Sequence, residues 1–249
     1  DVASTAANQV LVRAGGGVGL GTNAPQAQLH VVEAINGTAS LGNHVAIIEN
    51  NATSTNNGPD VLALKSSATG NPGANTNFIT FFDGDGPASL GAIEGDGSGG
   101  VTLVAPGNDY AEWLPLREAT EAIQPGDIVA WTPQGITRRT EQALRLMVVS
   151  TQPIVAGNAP MQEEGRRGWA PVAFVGQAPV RVRGPVQAGD FILPSGWHDG
   201  SGVAVSSTNL ALDQVRQVVG QALESAPGEG LHTVKVLVGL PQNDILQAL

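Results

Sequence analysis

The chain has 249 residues, 33 of them glycine and 16 proline, and carries a formal net charge of −10. Such an acidic chain lacks the clustered Lys and Arg that phosphate contacts require, which excludes nucleic acid as a partner. It has no cysteine, so disulfides and thiolate chemistry are excluded, and it has no run of 18 apolar residues that would make a membrane-spanning helix.

Charged residues make up 14% and aromatic residues 4%. The low charge argues against disorder, and the scarcity of large side chains argues against a wide core. Frequent Gly, Asn, Asp and Pro mark many short strands joined by turns. The expected class is all-β. The sequence opens at Asp1 in mid-pattern, as a piece of a longer protein does.

In chain order, the first expected strands are Gln9–Val12, a Gly-alternating run from Gly17 to Thr22, and Gln28–Val32. A strand with glycine at every second position packs its bare face against another backbone. His30 lies in an alternating run, and no second ligand has metal-binding spacing. A meander follows, with strands expected at Val45–Glu49, Asp60–Lys65, Asn77–Phe82, Ser89–Glu94 and Gly100–Val104, separated by Asn/Asp/Gly turns. Phe78, Phe81 and Phe82 are expected to form its aromatic core layer. Asp83-Gly-Asp85-Gly and Glu94-Gly-Asp96-Gly allow a calcium reading, but the runs are short and no bidentate acid follows. Hairpin turns are the preferred reading, and no cofactor or metal is expected.

Gly107-Asn108-Asp109-Tyr110-Ala111-Glu112-Trp113 is a seam. It holds the only tyrosine and two carboxylates three residues apart. Of the 22 acids and 12 bases, eight acids but only Arg13 and Lys65 among the bases precede it. Beyond the seam a helical turn is expected within Leu116–Ile123. An internal repeat then emerges. Ile123-Gln-Pro-Gly-Asp127-Ile-Val-Ala130 matches Val186-Gln-Ala-Gly-Asp190-Phe-Ile-Leu193, and Val175-Gly-Gln-Ala178 echoes Val219-Gly-Gln-Ala222. In each Gly-Asp pair the glycine is expected to take the turn and the carboxylate to accept from nearby amides. Arg181 and Arg183 share one strand face, which is expected to be exposed or interchain, with a carboxylate-binding patch as the lesser option. His198-Asp199 beside Ser195 has the types of a catalytic triad, but neighbours on one tight loop rarely assemble one.

Several of these stretches carry a family resemblance. Val18-Gly-Leu-Gly-Thr22, Pro25 and Leu29-His30-Val31 together resemble an element that recurs in phage tail-fibre and bacterial surface-fibre proteins. Asn77–Phe81 and Gly91–Gly95 are similar to segments of the same stalks. Asp109-Tyr110-Ala111-Glu112 resembles the start of the C-terminal chaperone domain of phage neck-appendage proteins. The Gly-Asp repeat and Val175–Arg183 are similar to a downstream region of bacterial fibre proteins.

The resemblance implies a homotrimeric structural fibre, extracellular, on a virion tail or a bacterial surface. Residues 1–108 would be an intertwined stalk and 109–249 a β-rich domain driving trimerisation and register. The physics is compatible, because thin strands need neighbours and three entangled chains pair slowly through non-local contacts. Some members of the family cut themselves at this motif as glutamic-type endopeptidases. Here the bond would be Asn108–Asp109, with Glu112 as general acid or base, Asp109 assisting, and Tyr110 and Trp113 supplying burial. Asn108 departs from the family residue and opens a second route, attack by its own side-chain amide. The competing reading has Asp109 and Glu112 bridging the junction without chemistry. A further alternative is a receptor-binding tip that recognises a cell-surface glycan or protein through Trp169 and Trp197 on exposed loops.

Overall fold

The computed structural model describes residues 12, 14–35, 41–53, 60–66, 69–84, 88–160 and 164–239. Among them the regular structure is β, with only single 3-10 turns at Leu41–Asn43, Glu164–Arg166 and Val215–Gln217. The protein is all-β. Its chain divides into two compact units, Asp1–Lys65 and Ser66–Leu249.

In the first unit β1 (Val18–Leu20) runs parallel to β2 (Leu29–Val31), with Val18 opposite Leu29. The alternating glycines sit against backbone, as their spacing predicts. A Cβ on Gly17 would come within 2.5 Å of the Ala27 carbonyl oxygen, and one on Gly21 would strike that of Val32. The covering backbone belongs to the same chain. His30 accepts the Gln26 N–H through Nδ1 at 3.2 Å. The segment expected as a strand at Gln9–Val12 lies mostly outside the described residues. Val45–Glu49 and the described residues of Asp60–Lys65 form no strand. Ile47, Ile48, Val61 and Leu62 are exposed, and short apolar runs become strands only when a ladder partner satisfies their backbone.

The second unit opens with an antiparallel meander of β3 (Asn77–Phe82), β4 (Ser89–Gly95) and β5 (Val101–Val104). Ile79 stands opposite Ile93, which stands opposite Leu103. In the turn between β4 and β5, the Asp96 carboxylate accepts the N–H groups of Ser98 and Gly100 at 2.7 and 2.9 Å. These bonds hold it below the usual carboxylate range. This acidic run is thus a hairpin turn; Asp85 and Gly86 of the other run lie outside the described residues. The aromatic layer expected here is not a core. Phe81 and Phe82 are exposed, because no second layer among the described residues covers the sheet.

The remaining strands make one large sheet. They are β6 (Asp109–Pro115), β7 (Ile128–Thr132), β8 (Gly135–Thr137), β9 (Arg145–Val149), β10 (Pro153–Gly157), β11 (Trp169–Arg183), β12 (Phe191–Pro194), β13 (Gly202–Val205), β14 (Gly220–Ala222) and β15 (Leu231–Val238). Its order is β13-β12-β14-β15-β11-β9-β7-β8, with β6 between β10 and β11. The 15-residue β11 organises it: its first half pairs with β6 and its second with β15. Its end also pairs in parallel with β13, folding the sheet back on itself. Ile128, Val148, Val180, Val182, Ile192 and Val236 fill the enclosed space, each buried Val or Ile contributing about 1.5–3 kcal/mol. The helical turn expected within Leu116–Ile123 does not form. The Leu116 and Arg117 amides donate instead to Gly168 and Ile136 carbonyls at 2.7 and 2.8 Å, so tertiary pairing overrides local preference.

The internal repeat is structural. Gly126 and Gly189 take positive φ of 82° and 96°. Asp127 and Asp190 accept the amides of Gln124 and Gln187 at 3.0 and 2.8 Å, and the buried strands β7 and β12 follow. The shorter echo flanks β15 on both sides. Gly176, Gln177 and Ala178 face Val238, Leu237 and Val236, and Gly220, Gln221 and Ala222 face the same three residues.

Candidate functional site

The seam residues lie at the start of β6, between β10 and β11. The pleat turns Asp109 and Ala111 inward and Tyr110 and Glu112 outward. Residues three apart on a strand occupy opposite faces, so the two carboxylates do not share a site within one chain. Tyr110 is exposed and does not bury Glu112. Glu112 lies instead over Gly157 of β10, whose missing Cβ would stand 3.3 Å from its Cγ. Trp113 is half-buried, with the Arg166 guanidinium 5.3 Å from its ring centre.

Asp109 is 1% exposed. Its Oδ1 accepts the Ser150 hydroxyl at 3.0 Å, and its Oδ2 is buried with no partner among the described residues. Burial pushes this carboxyl up from its usual value, and the Ser150 bond opposes that. The Asn108 carbonyl, which belongs to the Asn108–Asp109 bond, accepts the Gln177 N–H at 2.9 Å. Gly176 takes a φ of +123°, and a Cβ there would come within 2.6 Å of that carbonyl oxygen and 2.8 Å of the Asp109 Cα. Only glycine allows so close an approach. One peptide bond is thus gripped from β11, with a buried carboxyl on one side and a polarising amide on the other. Ser150 carries no sequence signal toward this site; it is 41 residues away, at the end of the apolar run Met147-Val148-Val149.

No protein-family profile matches the chain, and no curated protein sequence matches it. Two solved structures are similar in part. One is the C-terminal fragment of bacteriophage phi29 gene product 12, at a TM-score of 0.38 and 16% identity over 52% of this chain and 99% of that one. The other is pre-mature bacteriophage phi29 gene product 12, at a TM-score of 0.39 and 15% identity over 60% of this chain and 24% of that one.

The second polar constellation centres on the loop from Ser195 to Ser201. The buried Asp127 pairs with Arg181, which also donates to the Asp199 carbonyl at 3.2 Å. Arg183 Nη2 stands 2.6 Å from Asp199 Oδ2. Burial alone would push Asp199 up; the Ser201 hydroxyl and the Arg183 guanidinium outweigh it and hold the carboxyl well below the usual range. The two arginines do share a face, but that face is half-buried and neutralised within the chain rather than open. Ser195, His198 and Asp199 form no triad. The His198 Nε2 turns away to Glu141 at 2.8 Å, and Ser195 bonds Ser201 and Asp199. Trp197 is 68% exposed, with Arg183 4.6 Å from its ring centre. Trp169 is not on a loop: it opens β11 opposite Pro115 and is half-buried. An open cleft of about 750 Å³ lies nearby, lined by Arg117, Glu121, Arg138, Arg139, Glu141 and His198 among others.

Proposed function

We propose that the chain is the end segment of a structural fibre that works as a homotrimer on a virion tail or a bacterial surface, with its large C-terminal sheet driving assembly. The observation that carries this reading is the distribution of burial. Among the described residues, every buried apolar residue except Ala92 lies at Ala111 or beyond. Before the seam, Phe81, Phe82, Leu90, Val101, Leu103 and Val104 are exposed on a folded three-stranded sheet. A sheet with apolar surface and no covering layer needs one from another chain, and in homo-oligomers copies supply it to one another. Native mass spectrometry of the purified protein tests this. Three copies are expected, and a single chain at micromolar concentration overturns the reading.

A second reading, self-cleavage at Asn108–Asp109, is favoured by the buried Asp109 carboxyl, half unsatisfied and adjacent to the bond. Its residues are Asn108, whose carbonyl carbon is attacked, Asp109, and Glu112, which in a lone chain faces away and would join the chemistry only in the assembly. Denaturing mass spectrometry is expected to find a fragment beginning at Asp109 that disappears in Asp109→Asn and Glu112→Gln. Intact chain alone after prolonged incubation refutes it.

A further inference from the structure

The buried Asp109–Ser150 contact is not required by the fold around it. β6 is already held by ladders on both sides, and burying a carboxyl with one oxygen unpaired costs about 1–3 kcal/mol. Ser150 is itself 2% exposed, and its backbone amide is already satisfied by the Pro171 carbonyl at 2.9 Å. Its hydroxyl is therefore committed to Asp109. That bond occupies Oδ1, while Oδ2 is buried with no partner among the described residues, and a buried polar atom that no protein group satisfies is one that an internal water satisfies.

We propose, resting on the self-cleavage reading above, that Ser150 is a positioning residue for that reaction: its hydroxyl fixes the Asp109 carboxylate so that Oδ2 serves as the general base. The step balances with water as the only co-reactant. Oδ2 takes a proton from water as the water oxygen bonds to the Asn108 carbonyl carbon. Charge developing on the carbonyl oxygen is met by the Gln177 N–H that already donates to it. The C–N bond then breaks, and the Asp109 carboxyl returns its proton to its own departing amine. The products are a carboxylate at Asn108 and a free amine at Asp109.

The charged surroundings are simple. The residues opposite Asp109 are Pro153 on β10 and Gly176 on β11, and β10 carries no charge. On β11 the charges are Arg181 and Arg183, each paired with its own aspartate. Glu112 is on the other face. Among the described residues, Ser150 is the side chain that hydrogen-bonds this carboxyl, and the bond favours the ionised form.

The test follows cleavage of full-length wild type, Ser150→Ala, Ser150→Thr and Asp109→Asn by denaturing mass spectrometry across pH 4–9. Wild type is expected to be cut before Asp109, with a rate that rises through the Asp109 ionisation. Ser150→Ala is expected to cut at least about tenfold more slowly, as loss of a bond to a charged group predicts, and to move the acid limb to higher pH. Ser150→Thr restores the hydroxyl and is expected to restore the limb. A cut wild type with an unchanged rate and pH profile in Ser150→Ala overturns the proposal alone. An uncut wild type at every pH overturns both the proposal and the cleavage reading. Circular dichroism separates a misfolded variant from a slow one, and a folded Ser150→Thr that stays slow counts against the proposal.

Discussion

Two four-residue strands show what separates the halves of this protein. β5 reads Val-Thr-Leu-Val and β12 reads Phe-Ile-Leu-Pro, so both are apolar and both suit a strand. All four residues of β5 are exposed, whereas Phe191, Ile192 and Leu193 of β12 are at most 3% exposed. Local preference does not explain the difference. β12 lies between β13 and β14 in a sheet that folds back to meet itself, while β5 edges a three-stranded sheet that nothing among the described residues covers. The C-terminal sheet encloses a core of its own, and the meander before it leaves its apolar side chains exposed.

The strongest test of that contrast is Leu103→Asp. It places a charge in the face assigned to other copies, where an unpaired buried charge is not tolerated. The expected outcome is an assembly that the C-terminal sheet still holds, with a meander whose backbone amides exchange with solvent much faster than in the wild type. If the meander stays as protected as in the wild type, β5 is not part of the interface.

Next in size are substitutions that compare the two copies of the Gly-Asp turn. Asp127 is fully buried and paired with Arg181, so Asp127→Ala leaves a largely buried guanidinium with a backbone carbonyl but no carboxylate and should cost about 3 kcal/mol. Asp190 makes the same turn bond but has no ion pair among the described residues, so Asp190→Ala should cost about 1 kcal/mol. Urea unfolding of both variants reads the gap, and equal losses would mean that the ion pair adds nothing.

Those two residues also mark how far the sequence was legible. The repeat, its turns and its following strands could be read because each rests on local chemistry: a glycine at positive φ, a carboxylate bonding an amide three residues back, an apolar run. The partner that distinguishes Asp127 could not, because Arg181 is 54 residues away and nothing in the alternation of β11 says which acid it meets. The same limit hid Ser150. The seam itself stood out by composition, yet the separation of Asp109 from Glu112 follows only once Asp109–Pro115 is known to be a strand. The expected strands at 45–49 and 60–65 failed for a related reason, since periodicity does not supply a partner.

A smaller effect is expected from acid. Asp199 is held below its ordinary value in the folded chain, so the stability it contributes is present above the unfolded value near 3.8. That contribution is lost as pH falls toward the lower folded value. Asp109, pushed upward, has the opposite sign: the folded state is favoured more as it protonates. Thermal melts from pH 6 to 2 should therefore show an acid loss that Asp199→Asn flattens and Asp109→Asn does not. An identical acid limb in both variants would remove Asp199 from the account.

The smallest effect on the fold should come from Trp197, and that makes it the cleanest probe of the receptor-binding alternative. Its ring is mostly exposed, and its one strong contact is the Arg183 guanidinium beneath it, worth about 0.5–1 kcal/mol at an exposed site. Arg183 stays fixed by Asp199 and Ser201 when the ring is gone, so Trp197→Ala should leave the melting curve nearly unchanged. An aromatic face held flat by a locked guanidinium suits stacking on a sugar ring, and loss of attachment to host cells would then report contact rather than misfolding. Trp131, also exposed but on β7, is the control. Attachment that falls for Trp197→Ala and not for Trp131→Ala places recognition on the Ser195–Ser201 loop, and equal attachment by both variants removes Trp197 from it.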